Sequence, residues 1–126
     1  MPVRVVGASV LGAWCFRESQ APEALSLIEG AQLHAPVLLA YELTSIARRK
    51  AVAYPDQVNA LAEALQTALS LDIDWRGVAH DAVFRLALQA GLTAYDASYL
   101  YLARALGASL ATFDRRLGRA AHEAGA

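Results

Sequence analysis

The sequence predicts an α/β fold, a three-layer sandwich with helices on both faces of a central, mainly parallel sheet. Two observations support this prediction. Short β-branched or apolar runs such as Val3–Val6 alternate with longer segments whose apolar residues recur at helical spacing. Pro22, Gly91 and Gly107 stand where predicted helices begin or end. Strands that alternate with helices in this way usually pair in parallel through right-handed crossovers.

The predicted elements follow from these patterns in chain order. Strands are expected at Val3–Val6, Leu33–Ala35, Leu71–Trp75 and Ser109–Thr112. Helices are expected at Ala8–Trp14, Pro22–Gly30, Pro36–Ala53, Gln57–Ser70, Val78–Ala90, Thr93–Leu106 and Asp114–Ala124. No repeat, linker or low-complexity segment interrupts this alternation.

Length and composition limit the classes of protein to which the chain can belong. Its 126 residues suit a single domain over 1–126, by the usual size of roughly 100–200 residues per domain. An apolar fraction of 56% with only 18% charged residues excludes a disordered chain, and it suggests an apolar subunit interface, such as that of a homodimer. The net charge of −1 excludes a globally basic nucleic-acid binder, but it neither supports nor excludes RNA as a ligand.

Cysteine usage and hydropathy indicate the compartment. Cys15 is the only cysteine, so a disulfide framework and a thiolate zinc site are both excluded, and a reducing cytoplasm fits. The apolar stretch from Val5 to Phe16 lacks an export pattern and is interpreted as a buried strand followed by a helix. No stretch reaches the ~18 uninterrupted apolar residues of a membrane span, so no membrane association is expected.

Polar and acidic residues follow the predicted strands at the points where a parallel sheet collects its ligands. Gly7 and Ser9 follow the first strand, and Asp114 follows the last. Glu42 lies one or two turns into the helix after the second strand, and Asp96 lies in the first turn of the penultimate helix. We therefore expect the three acids to converge at one edge of the sheet.

A cluster of carboxylates without partnering bases is costly unless a cation lies among them. Oxygen ligands favour Mg²⁺ or Mn²⁺ over zinc. Such a cation activates water for attack on phosphorus and neutralises charge on the leaving oxygen, so no side-chain nucleophile is needed. The three acids thus indicate phosphoryl chemistry.

Each acid also has a purely structural interpretation, and both roles can coexist. Thr93 and Asp96 have the spacing of a capping box. Asp114 suits the N-cap of the last helix, and Glu42 suits a solvated helix face. His34, His80 and His122 show no metal-ligand spacing, so surface or core roles are favoured for them.

Four segments resemble the signature regions of VapC-type PIN domains, in order and at normal separations. They are residues 5–11, 41–46, 92–100 and 110–117. The third segment, with its partner acid 18 residues later, is the most specific of the four, and the resemblance covers nearly the whole chain.

This resemblance implies a PIN-like fold and a ribonuclease site. It makes Glu42, Asp96 and Asp114 the catalytic, metal-binding acids for Mg²⁺ or Mn²⁺. It also implies that Ser9, Ser45 and Thr112 are polar residues that support the acids. The chain departs from the family pattern at Gly7, where the family normally has its first metal-binding aspartate, so activity is expected to be weakened.

The resulting hypothesis is a VapC-like toxin, a metal-dependent endoribonuclease that hydrolyses RNA phosphodiester bonds. Resemblance further implies a VapB-type antitoxin as partner, with a tail segment across the acidic site, and a homodimer. The alternative is a catalytically impaired PIN-fold module that binds antitoxin or RNA. The basic clusters Arg48–Lys50 and Arg115–Arg119 suit either solvated helix faces or contacts with RNA phosphate; the second cluster also suits an acidic antitoxin segment.

Overall fold

A computed structural model describes residues 1–123 of the chain. It contains one four-stranded sheet in the order β3-β2-β1-β4, and every neighbouring pair is parallel. The strands are β1 (Val3–Val6), β2 (Gln32–Pro36), β3 (Ile73–Arg76) and β4 (Ser109–Ala111). The fold class predicted from the sequence is confirmed.

Seven α-helices connect and follow these strands in the described part of the chain. They are α1 (Ala8–Cys15), α2 (Ala21–Ile28), α3 (Leu38–Ala53), α4 (Val58–Leu69), α5 (His80–Ala90), α6 (Ala94–Leu106) and α7 (Arg115–Glu123). A 3-10 turn, Pro55–Gln57, joins α3 to α4. None of the helices within residues 1–123 has both the length and the apolar character needed to cross a membrane.

The hydrophobic core lies on both faces of the sheet. Val5 and Val6 of the inner strand β1 are fully buried, and because neighbouring strand residues point to opposite faces, they enter two helical layers. Helix α6 packs on β1, β2 and β4 with α5 and α7 beside it. Helix α1 contacts α2, α3 and α4, while α3 also contacts α4 and β2.

Glycines end two helices on the α6 side, as the sequence predicts. Gly91 and Gly107 follow α5 and α6 with φ of 66° and 60°, in the left-handed region that only glycine enters freely. These turns fix where α6 starts and ends, and therefore where its acidic first turn lies.

Several predicted boundaries are wrong. Pro36 was expected to open the third helix, but it is the last residue of β2, where it pairs with Arg76. A strand end tolerates proline because the missing N–H is not required there. Strand β3 begins at Ile73 rather than Leu71, and α5 begins at His80 rather than Val78.

The last strand ends at Ala111, so Thr112 lies beyond it, and Asp114 precedes α7 instead of belonging to it. The predicted end of that helix, Ala124, lies outside the described residues.

Candidate active site

The carboxyl ends of β1 and β4 lie side by side. Val6 and Ala111 are register partners, and the N–H of Gly7 donates to the carbonyl oxygen of Ala111 at 2.9 Å. The residues that follow these strands, Gly7 and Thr112, are therefore neighbours. The edge of the sheet that the sequence predicts to carry a site is formed by this pair of strand ends.

Gly7 is buried and has room for a small side chain. Its backbone is extended (φ −87°, ψ 163°), a conformation that any residue adopts. A Cβ added there would lie 3.2 Å from the Ala111 carbonyl oxygen and 3.7 Å from the Thr112 hydroxyl oxygen. A side chain at position 7 would therefore start beside Thr112, two residues before Asp114, with a slight shift of the β4 backbone.

Two hydroxyls attach the start of α1 to the loop after β4. The Ser9 Oγ accepts a hydrogen bond from the Phe113 N–H at 2.9 Å and lies 3.3 Å from the Thr112 Oγ1. The Thr112 Oγ1 in turn accepts from the Asp114 N–H at 3.0 Å. Ser9 and Thr112 thereby fix the backbone that carries Asp114.

Asp114 caps α7. Its Oδ1 accepts a hydrogen bond from the Leu117 N–H at 2.9 Å, and its carbonyl oxygen accepts from the Gly118 N–H. The capping role predicted from the sequence is confirmed. It uses one carboxylate oxygen of an otherwise exposed side chain, so it does not exclude a second role for Asp114.

Asp96 lies in the first turn of α6, and its N–H donates to the Thr93 Oγ1 at 3.1 Å. Thr93 is the N-cap of this helix, as its spacing from Asp96 predicts. The cap orients the first turn of α6 so that Asp96 lies near both of the other acids.

Glu42 is not a solvated helix residue. It is half-buried, and its Oε1 accepts a hydrogen bond from the hydroxyl of Tyr99, a buried residue on α6. This bond joins the second turn of α3 to α6 across the site. The sequence did not reveal it; the only available signal is that Tyr99 lies three residues after Asp96, on the same face of the helix.

The pKa values show that the acids affect one another. Burial raises the pKa of Glu42, the Tyr99 hydrogen bond opposes that rise, and the charge of Asp96 adds to it. Burial also raises the pKa of Asp96, and the charge of Asp114 adds to this rise, while Thr93 and Arg116 oppose it. Asp96 therefore takes part in both charge interactions: its charge raises the pKa of Glu42, and the charge of Asp114 raises its own pKa.

Within residues 1–123, no three His, Cys, Asp or Glu side chains are grouped closely enough to hold a metal ion. The chemistry of Glu42, Asp96 and Asp114 nevertheless suits a hard divalent cation, since all three are carboxylates and such cations prefer oxygen ligands. In the described residues the three carboxylates are not grouped closely enough for one ion, and Gly7 adds no side-chain oxygen as a further ligand. The metal-binding role of Glu42, Asp96 and Asp114 stays a prediction.

Two open grooves flank the acids. The smaller, of about 480 Å³, contains Glu42 with Tyr41, Ser45, Arg49 and Tyr95. Ser45, predicted as a support, is exposed on the α3 wall of this groove. The larger groove, of about 520 Å³, is mostly apolar and contains Val37, Phe84, Leu88 and Tyr95; its walls come from the β2 and β3 ends, α5 and the start of α6.

The remaining sequence candidates have structural roles or lie elsewhere. Lys50 forms an ion pair with Glu18 at 3.1 Å and lies 5.9 Å from the Phe16 ring centroid, so it stabilises the helical layer. The Nδ1 atom of His34 lies 3.3 Å from the Oδ2 atom of Asp74 on the neighbouring strand β3. Cys15 is half-buried, and burial raises the pKa of its thiol to about 11, which makes it a weak nucleophile.

Comparison with known proteins places this site in a family. The PIN-domain family model matches residues 4–123. The chain is 36% identical over 119 residues to "Ribonuclease VapC3" of Pyrobaculum aerophilum, with 90% of each chain covered. It is 37% identical over 115 residues to "Ribonuclease VapC9" of Mycobacterium tuberculosis, covering 90% of this chain and 87% of the relative.

A solved structure supports the same assignment. The crystal structure of PAE2754 from Pyrobaculum aerophilum superposes with a TM-score of 0.78 at 28% identity, covering 94% of this chain and 84% of that one. The resemblance seen in the four sequence segments is thus matched by homologues along nearly the whole chain. The chain belongs to the PIN-domain family, and within it to the VapC type.

Proposed function

We propose that this chain is the toxin of a toxin–antitoxin pair, a metal-dependent endoribonuclease whose activity is weakened by Gly7. The observation that carries the proposal is the position of Asp96, whose pKa is raised in part by Asp114 and whose charge raises the pKa of Glu42. Two pairs of carboxylates that repel each other, Glu42 with Asp96 and Asp96 with Asp114, favour a cation at the carboxyl edge of a parallel sheet. The ribonuclease relatives support RNA as the substrate.

The chain's own residues would have distinct tasks in this reaction. Glu42, Asp96 and Asp114 would hold Mg²⁺ or Mn²⁺, and VapC-type PIN nucleases generally use divalent metals. When bound, the cation would supply positive charge for the transition state at phosphorus and would lower the pKa of a water molecule. Tyr99 orients Glu42, while Ser9 and Thr112 fix the loop that carries Asp114.

The partners follow from the same family membership. A VapB-type antitoxin would cover the acidic edge, and a homodimer would cover the larger apolar groove, which exposes Phe84 and Leu88. The single free cysteine suits the reducing cytoplasm, where we propose that the toxin and its partner act.

A second function is favoured by one specific residue. Gly7 removes the side chain that would start beside Thr112, so the metal would lose a direct ligand. The chain would then be a PIN module that binds antitoxin or RNA without efficient cleavage.

Restoring the missing ligand tests the proposal. We expect Gly7→Asp to strengthen Mg²⁺ or Mn²⁺ binding and to raise RNA cleavage by about 10- to 100-fold or more, since loss of even an indirect metal partner costs about that much. Isothermal titration calorimetry and a cleavage assay with a labelled RNA measure the two effects. Gly7→Asn is the matched control, because it has the same shape without the charge.

A double variant tests whether the residues serve one site. Adding Asp96→Asn to Gly7→Asp should abolish both gains. If Gly7→Asp folds normally but improves neither metal affinity nor cleavage, position 7 is not a ligand position. Retained RNA or antitoxin binding in that case favours the binding module.

A further inference from the structure

An exposed tyrosine immediately precedes each of two site acids. Tyr41 precedes Glu42 on α3, and Tyr95 precedes Asp96 on α6. Their relative exposures are 71% and 63%, so neither ring is needed for the core. Both rings are available for binding, and tyrosine suits that role because it combines an apolar ring with a polar hydroxyl.

The α3 wall of the smaller groove carries a mixed row of side chains. Tyr41, Ser45 and Arg49 are spaced by four residues, lie on one face of the helix and are all exposed. The row spans about 12 Å at ~1.5 Å per residue. That length corresponds to roughly three stacked nucleotides at about 3.4 Å each. The row therefore presents a ring, a hydroxyl and a guanidinium along a path that passes Glu42.

The opposite side of the groove is formed by Tyr95 and by Ala8, the first residue of α1. The groove is open, has a volume of about 480 Å³ and includes Glu42. A ligand in it would lie against the acidic edge. Its rings and single guanidinium match a ligand with aromatic faces and negative charge.

We propose that Tyr41, Tyr95 and Arg49 form a subsite for unpaired nucleotides of RNA next to the phosphodiester that is cleaved. The bases stack on the tyrosine rings, and Arg49 binds a backbone phosphate. This inference rests on the proposed ribonuclease function and assigns to it the residues that hold the substrate beside the cut.

Stacking on the rings requires a base that has left a duplex. In an RNA helix the faces of each base are covered by its neighbours, whereas unpaired bases stack on exposed aromatic side chains. Such stacking tolerates any base, because every base has a π-face. The subsite would thus select for unpaired structure rather than for sequence.

Binding of a fluorescein-labelled single-stranded RNA, measured by anisotropy in EDTA, tests the subsite without any cleavage. We expect Tyr41→Ala to weaken binding by about 5- to 100-fold, the range that base stacking on an aromatic ring provides. Tyr41→Phe should bind as the parent does, since it keeps the ring. Tyr54→Ala is the control, because Tyr54 is 56% exposed at the far end of α3 and does not line the groove.

A second pair of variants tests the phosphate contact. Arg49→Gln should reduce the slope of log K against log salt by about 1, whereas Arg48→Gln, its exposed neighbour outside the groove, should not. The same RNA annealed to its complement should bind more weakly than the single strand and should not respond to Tyr41→Ala.

Three results would overturn the subsite. They are the absence of RNA binding by the parent chain, equal loss in Tyr41→Ala and Tyr54→Ala, and dissociation of a dimer by Tyr41→Ala, which would make a second copy the occupant. None of these measurements requires RNA cleavage. Failure of Gly7→Asp to raise cleavage would refute the proposed nuclease site while leaving the binding result intact.

Discussion

Glu42 shows how function and stability conflict at one residue. It is a half-buried acid between the apolar helices α3 and α6, where Leu39 and Leu43 on its own helix are fully buried. Burial disfavours its charged form, as its raised pKa indicates. The Tyr99 hydroxyl offsets part of that cost, but the nearby charge of Asp96 increases it. A carboxylate that only stabilised the fold would not be placed there.

Replacing this acid should therefore stabilise the protein in a pH-dependent way. The folded-state pKa of Glu42 is raised, so its ionisation opposes folding above that pKa, and protonation removes the penalty as pH falls toward the ordinary value of ~4.3. Glu42→Gln is neutral throughout and keeps an oxygen that accepts from Tyr99. We expect its Tm to exceed that of the parent at about pH 8, and the difference to vanish near pH 4.

Thermal unfolding followed by circular dichroism across this pH range measures the effect. Glu63→Gln, at an exposed position of α4, removes the same charge without the burial and should show no such gain. A Tm difference for Glu42→Gln that grows as pH falls would contradict the sign of the shift.

The sequence predicted the position of Glu42 but not its partner. The sequence indicates a functional role for Glu42 because this acid lies in the helix after a strand, near the edge at which a parallel sheet binds its ligands. Tyr99 lies 57 residues away, and its contact with Glu42 depends on how α3 and α6 pack. A periodic pattern tells which face of each helix is buried, but it does not tell which polar groups on two faces meet.

At the scale of elements, the glycine ends of α5 and α6 determine where the acidic first turn lies. The Ala108 N–H donates a hydrogen bond of 2.9 Å to the Ala103 carbonyl oxygen, across the turn at Gly107 that ends α6. A Cβ on Gly107 would meet nothing within 4 Å, so only the left-handed backbone (φ 60°) demands glycine.

Gly107→Ala should therefore destabilise the protein by about 1 kcal/mol, the cost of a side chain in the left-handed region. Urea unfolding measures this. Gly77→Ala is the matched control, because Gly77 is equally open and has no positive φ. The control should be neutral or slightly stabilising. Equal losses in both variants would mean that the helix end at Gly107 is not under backbone strain.

The wrong boundary at Pro36 has a cause that lies outside the local sequence. Proline is common both at the first turn of a helix and at the end of a strand, and local sequence does not separate the two. Pro36 belongs to a strand because it pairs with Arg76 of β3, and β3 lies 37 or more residues further along the chain. The ends of α5 and α6 at Gly91 and Gly107 were predicted correctly because their cause, a glycine in the left-handed region, is local.

At the scale of the whole molecule, the alternation of strands and helices predicted the parallel sheet and hence the edge at which the site lies. It did not predict the strand order β3-β2-β1-β4, because several orders satisfy the same alternation. That residues 1–126 form a single domain stays a prediction. The single sheet and the family match over residues 4–123 are consistent with it.

The larger groove is an exposed, mostly apolar face of the molecule. Val37, Phe84 and Leu88 expose their apolar side chains around it, and Leu88 is 70% exposed. A second copy of the chain could cover this face by a two-fold contact, in which the same residues on both copies meet. The face adjoins the acidic edge through Tyr95, which lines both grooves.

Leu88→Asp should dissociate such a dimer, since it places a charge in an apolar contact and leaves it without a partner. We expect the dimer Kd to rise by about 30-fold or more, given the ~2 kcal/mol lost at a central interface residue. Sedimentation equilibrium measures the change. Val52→Asp is the control, because Val52 is 68% exposed on α3 but lies outside the groove. A parent chain that is monomeric at all concentrations, or equal dissociation in the two variants, would show that this face does not hold the second copy.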